Sequence, residues 1–550
     1  MRQPLRAMFN HKLATRAGLV STLFLTQVCV LLAQTAVTTY HNDNYRTGMN
    51  STETVLTQAN VNASQFGLLA TVKVDAQVEA QPLMVPNVNI TAGSNQGVHN
   101  VVYVVTDNNT VYMIDAVAGT ILLSRHIATP APAPAGCKGN GDDLGITSTP
   151  VIDTTRNAIY VMTYVKASPN PNYVLHALNL SNLRDQTTPV TVTASHTLTD
   201  GSTFDFNGLY QRQRPALLEA NGNIYAGFGS FCDLFGNNSR GWLLGWSAST
   251  LTPLGSNQLF DSLATSPDNF FLASIWMSGY GLAADDSGNV VFVTANADKT
   301  GTNYNGVTAI EESAIEVSSD LSTVVDLFTP SDWPSLDEHD LDFGSGGLMI
   351  LPDQPGSTPH LAVAAGKNAT MFLMNEDNLG GYSSSGNNVL GSYQVGACWC
   401  GESYYVDTDG IARVVSSGAT KAEVWKLATS PSPALTLTKQ SPVLATGQNS
   451  GFFTSVSSNG NSNPIIWALS RPVSKTSPGM TLYAFNPDST GRTMTTLFSG
   501  TAGTWPNYGG DSNQVPIIAN GMVYVASYKQ LDIFGLLPQS ARKKAQKRSK

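Results

Sequence analysis

The sequence predicts an all-β fold, a β-propeller of about eight four-stranded blades, and three observations carry that expectation. With 13% charged residues, 48 Gly and 28 Pro, the chain is composed for short strands and many turns. One strand pattern opens eight times along it. The last copy lacks an outer strand, and an apolar stretch near the N-terminus can supply it, closing a ring.

At the N-terminus, Arg2, Arg6, Lys12 and Arg16 precede an uncharged apolar stretch over 17–33, the order of a signal peptide, here 1–36 with Ala33 or Ala36 at the cleavage site, an uncleaved anchor being the alternative. Ser21, Thr22, Thr26 and Gln27 interrupt the stretch, which leaves it short of the roughly 20 apolar residues of a spanning helix. No later stretch reaches that length, so the mature chain is expected outside the cytoplasm, secreted or periplasmic, without a membrane span. Removing Cys29 with the leader leaves Cys137, Cys232, Cys398 and Cys400, an even set suited to an oxidising compartment, with three pairings open. A bridge from Cys398 to Cys400 would close a strained loop over one residue. No haem motif and no zinc-type cysteine spacing is present.

A segment over 37–65 is expected to pack on the propeller, which runs over 66–537. Its clearest unit reads Gln81-Pro82-Leu83-Met84-Val85, then Asn100 to Val105, then Val111 to Asp115 and Gly119. Further units open at Val151, Leu217, Leu282 and Leu348, and weaker ones near Tyr404, Phe453 and Val515. Period-2 alternation places one face of each sheet against the next blade, and closure buries what a lone blade cannot. The sixth and seventh units are degenerate, so seven blades is the alternative. The unit from Ile517 to Phe534 is the incomplete one, and Leu68 to Val74 is the strand expected to latch onto Leu531 to Phe534.

The basic tail over 538–550 reads as a solvated, disordered end. Leader and tail hold ten Lys and Arg and no acidic residue, leaving 20 basic against 39 acidic residues in the body. That balance argues against a nucleic-acid partner.

Tyr40-His41-Asn42-Asp43-Asn44-Tyr45-Arg46-Thr47-Gly48, Leu56-Thr57-Gln58-Ala59-Asn60 and the strand repeat resemble the quinoprotein alcohol dehydrogenase superfamily over the whole mature chain. The resemblance implies a site for pyrroloquinoline quinone and calcium. Carried over residue by residue, it makes Asp233, Asn296 and Asp342 the metal ligands, because a hard cation takes oxygen donors. Asp340 becomes the base that accepts the alcohol proton, Trp276 the indole under the quinone, and Lys367 the cation beside its oxygens. The family's Trp four residues after the repeat Gly is Leu123 here, and its adjacent Cys-Cys is missing. Cys137 stands near that place, and a Cys137–Cys232 bridge is expected over the site on the loop-rich face.

Three functions follow. One is a binding propeller with a degenerate quinoprotein site, taking a small molecule, glycan or protein at its loop-rich face. The next is a quinone- and calcium-dependent alcohol or sugar dehydrogenase without haem that passes electrons to an external acceptor. The last is a glycan hydrolase or lyase using Asp340 and Asp342, for which no motif speaks. Lipase-type, zincin and phosphate-loop signatures are absent.

Overall fold

The computed structural model describes residues 34–137, 143–297, 303–444 and 446–540. The leader expected over 1–36 lies almost wholly outside them, as do residues 541–550 of the basic tail. Among the described residues no helix is long and apolar enough to cross a membrane.

Eight antiparallel sheets follow one another as blades, and their innermost strands are Leu83–Ile90, Val151–Asp153, Leu218–Ala220, Ala283–Ala284, Leu348–Leu351, Ser403–Val406, Thr454–Asn459 and Ile517–Ala519. The eight openings predicted from the sequence all fall at or beside these strands. Strand alternation explains how the blades stack. In blade one, Val101, Tyr103 and Val105 pack with Ile152, Ile159 and Val161 of blade two, whereas Val102 and Val104 pack with Ile517, Tyr524 and Leu531 of blade eight. This strand, Gly97–Val105, therefore buries both faces of its second half, each against a different neighbouring blade.

Blade eight closes the ring as expected. Met522–Leu536 folds back at Tyr528 and Lys529, whose φ of 56° suits a tight turn, and Gly535 comes to lie against Met522. The N-terminal strand Phe66–Gln77 then pairs with its second half, Leu68 opposite Phe534 and Val72 opposite Leu531.

The segment before that strand runs past the inner strand of every blade in turn. Val37 pairs with Met84 of blade one, and the Thr38 carbonyl accepts from Ile152 of blade two. The Asn44 side chain donates to the Glu219 carbonyl of blade three, and the Asn44, Tyr45, Thr47 and Gly48 carbonyls accept from Ala284, Ile350, Tyr404 and Val456 of blades four to seven. Asn50 completes the circuit by donating to the Ile518 carbonyl of blade eight. Arg46 holds this hub together from a fully buried position, donating to the carbonyls of Leu282, Tyr40 and Asp43 and to the Thr39 hydroxyl.

Candidate functional site

In a four-stranded antiparallel blade, the loop between the second and third strands and the link from the outer strand to the next blade emerge at the same end. Every residue singled out in the sequence lies on such a loop or link. Asp233 follows Asn223–Ser230, Asn296 follows Val290–Val293 and Lys367 follows Leu361–Ala365. Trp276 lies between blades three and four, and Asp340 and Asp342 between blades four and five.

Local sequence sets the acidic pair. The helix Trp333–His339 has Pro334 in its first turn and ends at Asp340, which takes the left-handed conformation that Asp tolerates, with φ 54° and ψ 44°. Leu341 then bonds back to the Leu336 carbonyl at 2.8 Å and the chain leaves through Asp342. Gly366 is required beside it, because a Cβ there would stand 2.6 Å from the Asp342 carbonyl oxygen and 2.5 Å from that of Phe343. This close approach lets the Lys367 amide reach the Asp342 carbonyl at 2.9 Å.

The Lys367 side chain is the centre of the arrangement. Its Nζ lies 2.7 Å from Asp340 Oδ1 and 2.9 Å from Asp342 Oδ2, and 5.6 Å from the ring centres of both Trp276 and Trp399. Burial opposes the lysine's charge, but Asp342 and Asp340 outweigh it and raise its pKa. Asp342 is buried, and burial pushes its pKa up to about 6, with Lys367 pulling down and Asp340 and Asp233 pushing up. Glu312 is also fully buried; burial and then the charge of Asp342 raise its carboxyl well above the ordinary range. Glu312 Oε2 accepts from the Phe343 amide at 2.5 Å, while its Oε1 and Asp342 Oδ1 have no hydrogen-bond partner.

Trp276, Asp340, Asp342 and Lys367 are thus brought together. Asp233 is near enough to act on Asp342, and its carboxylate accepts from the Ser230 hydroxyl. The Asn296 carbonyl accepts from Ala273, on the segment that leads to Trp276, and this backbone bond is its link to the group's surroundings. Cys137 and Cys232 form the expected disulfide, Cα atoms 5.4 Å apart, tying the link between blades one and two to blade three. Cys398 and Cys400 are also bonded, which settles the pairing left open: a turn in which the Trp399 amide and carbonyl are held by Ser450 and Arg471 brings their Cα atoms to 4.9 Å. Two members of the site escaped sequence reasoning. Trp399 was signalled only by its two flanking cysteines, and Glu312 by nothing local.

At the same end, blades seven, eight and one line an open cavity of about 1120 Å3 whose wall includes Asp107, Tyr508, Tyr528 and Cys137.

No protein-family profile matches the chain. No curated protein matches it either. Solved structures do: quinohemoprotein alcohol dehydrogenase from Comamonas testosteroni superposes with a TM-score of 0.60 at 14% identity, over 92% of this chain and 81% of that one. A quinohemoprotein alcohol dehydrogenase of Pseudomonas putida HK5 gives 0.58 at 13% identity over 91% and 80%. A europium-containing methanol dehydrogenase gives 0.58 at 10% identity over 91% and 98%. At these identities the likeness speaks for architecture, and the chain has the eight-bladed propeller fold of the quinoprotein alcohol and methanol dehydrogenases.

Proposed function

We propose that this is an exported binding propeller whose quinoprotein-type site has closed on itself. One observation carries the reading: the Lys367 ammonium is already neutralised by two carboxylates and lies over Trp276. A quinone stacked on Trp276 needs that ring face, and its oxygens need a cation free to donate to them. Asp340 would in turn have to leave an ion pair to act as a base. The residues therefore fit the quinone poorly.

Asp342 Oδ1 and Glu312 Oε1 are buried carboxylate oxygens without partners, beside Asp233, and an ion such as calcium would relieve their mutual repulsion. The convergence of Trp276, Asp340, Asp342 and Lys367 is what favours the dehydrogenase reading, in which a bound quinone would accept hydride from an alcohol.

Adding pyrroloquinoline quinone and calcium to the purified protein separates the two. We expect calcium alone to raise the melting temperature, with no shift in quinone absorbance and no dye-linked turnover of alcohols or sugars. Stoichiometric quinone binding with turnover that Asp340→Asn abolishes would establish the dehydrogenase instead.

A further inference from the structure

The cavity between blades seven, eight and one is on the same loop-rich end as the Lys367 cluster, and Trp276, Asp340, Asp342 and Lys367 are not among its lining residues. Its volume of about 1120 Å3 exceeds the ~300–1000 Å3 span of small-ligand pockets, room enough for an extended ligand of a few rings.

Its wall combines three kinds of group. Tyr508 and Tyr528 bring rings to the wall: the Tyr508 hydroxyl donates to the Gly447 carbonyl, which fixes that ring's direction, and the exposed Lys529 ammonium lies 5.2 Å from the Tyr528 ring centre, where an arriving sugar face would displace it. Asp107 is 3% exposed, and its Oδ1 has no hydrogen-bond partner; Gln77, also in the wall, meets its other oxygen at 3.5 Å. Asp75, by contrast, is saturated by the hydroxyls of Thr106 and Thr110 and the amide of Asn108. These bonds fasten the loop that carries Asp107. Both signs of charge are present, with Asp75 and Asp143 against Lys475 and Lys529, so the wall does not select an ion by net charge.

We infer that this cavity is a carbohydrate site taking a neutral oligosaccharide, with Tyr508 and Tyr528 against the C–H faces of the sugar rings and Asp107 and Gln77 bonding its hydroxyls. The inference rests on the reading of the protein as a binding propeller. A buried carboxyl and amide beside half-buried aromatic rings around a roomy pocket are what a polyol with apolar ring faces requires. Burial, and then the charge of Glu79, raise the Asp107 carboxyl, against the pull of Arg212 and Arg214, and its unpartnered oxygen is the group offered to a hydroxyl. The Cys137–Cys232 bridge fixes one side of the pocket in advance, which lowers the ordering cost of binding.

The test is titration calorimetry of the full chain with cellotriose, maltotriose and chitotriose, each repeated in 0.5 M NaCl. At least one should bind, with an affinity that salt leaves unchanged, because no ion pair contributes. Tyr528→Ala and Asp107→Ala should each weaken it by about tenfold, the size of one lost ring or buried hydrogen-bond contact, and Asp107→Asn should recover most of the second loss. Melting temperatures of the variants check that each remains folded. Binding by none of the three sugars, affinity that collapses in salt, or full affinity in Tyr528→Ala would each overturn the cavity assignment. Quinone-dependent turnover that Tyr528→Ala leaves intact would instead overturn the closed-site reading alone.

Discussion

Lys367 and Asp342 are a buried pair, their side chains 10% and 4% exposed, whereas Asp340 at 67% is bathed in water. Removing the lysine takes away the charge that holds the Asp342 pKa down and drives its buried carboxyl towards protonation, so Lys367→Met should cost about 3 kcal/mol in denaturant unfolding, and adding Asp342→Asn should restore much of it. A loss below about 1 kcal/mol would show that water already compensates Asp342. Glu402 poses the opposite case: it is fully buried beside the Cys398–Cys400 disulfide, neither carboxyl oxygen has a partner, and burial pushes its pKa up to about 8. Its folded pKa is raised above the ordinary carboxylate value, so the folded state holds the extra proton. The resulting stability is present below about pH 4.5 and is lost as pH rises through about 8. Glu402→Gln cannot titrate, and melting curves from pH 5 to 8.5 should show the alkaline loss reduced by about 2–4 kcal/mol. An unchanged alkaline limb would place that loss in other groups.

The two disulfides act on elements of different length. Cys137–Cys232 spans 95 residues and ties together links of separate blades, whereas Cys398–Cys400 spans 2 and fixes a single turn. Chain entropy in the unfolded state grows with the loop that is closed, so Cys137→Ser with Cys232→Ser should lower stability by about 2–5 kcal/mol, and the shorter bridge should matter less. Calorimetry of the two double variants checks the order, and a larger drop for the shorter bridge would contradict it. The long bridge is also a wall of the carbohydrate cavity, so its loss should loosen that pocket before it unfolds any blade. Strand positions themselves were legible, because Val101 to Val105 alternate between two cores and the alternation is written in the sequence.

At the scale of the whole molecule, one stretch of chain from Val37 to Gln77 meets the inner strand of all eight blades and then becomes the outer strand of the last. A chain beginning at residue 78 would lose both hub and latch. It should unfold without the single cooperative transition of the full chain, a difference visible when calorimetry and tryptophan fluorescence are compared. Coincident transitions at an unchanged temperature would show that the ring closes without this segment. The all-β class, the eight openings and the latching strand were determined by the sequence alone, because strand period, turn residues and an incomplete last unit are local patterns. The candidate site was legible only as a set of loop residues. That Lys367 would be claimed by Asp340 and Asp342 depends on how close Gly366 lets two loops approach. Trp399 and Glu312 join because neighbouring blades carry them there, and the cavity by Asp107 and Tyr528 joins residues more than 400 positions apart. Such distances between side chains are fixed by ring closure, which no local stretch of sequence encodes, and so the tertiary structure alone decided which charges meet and which remain unpaired.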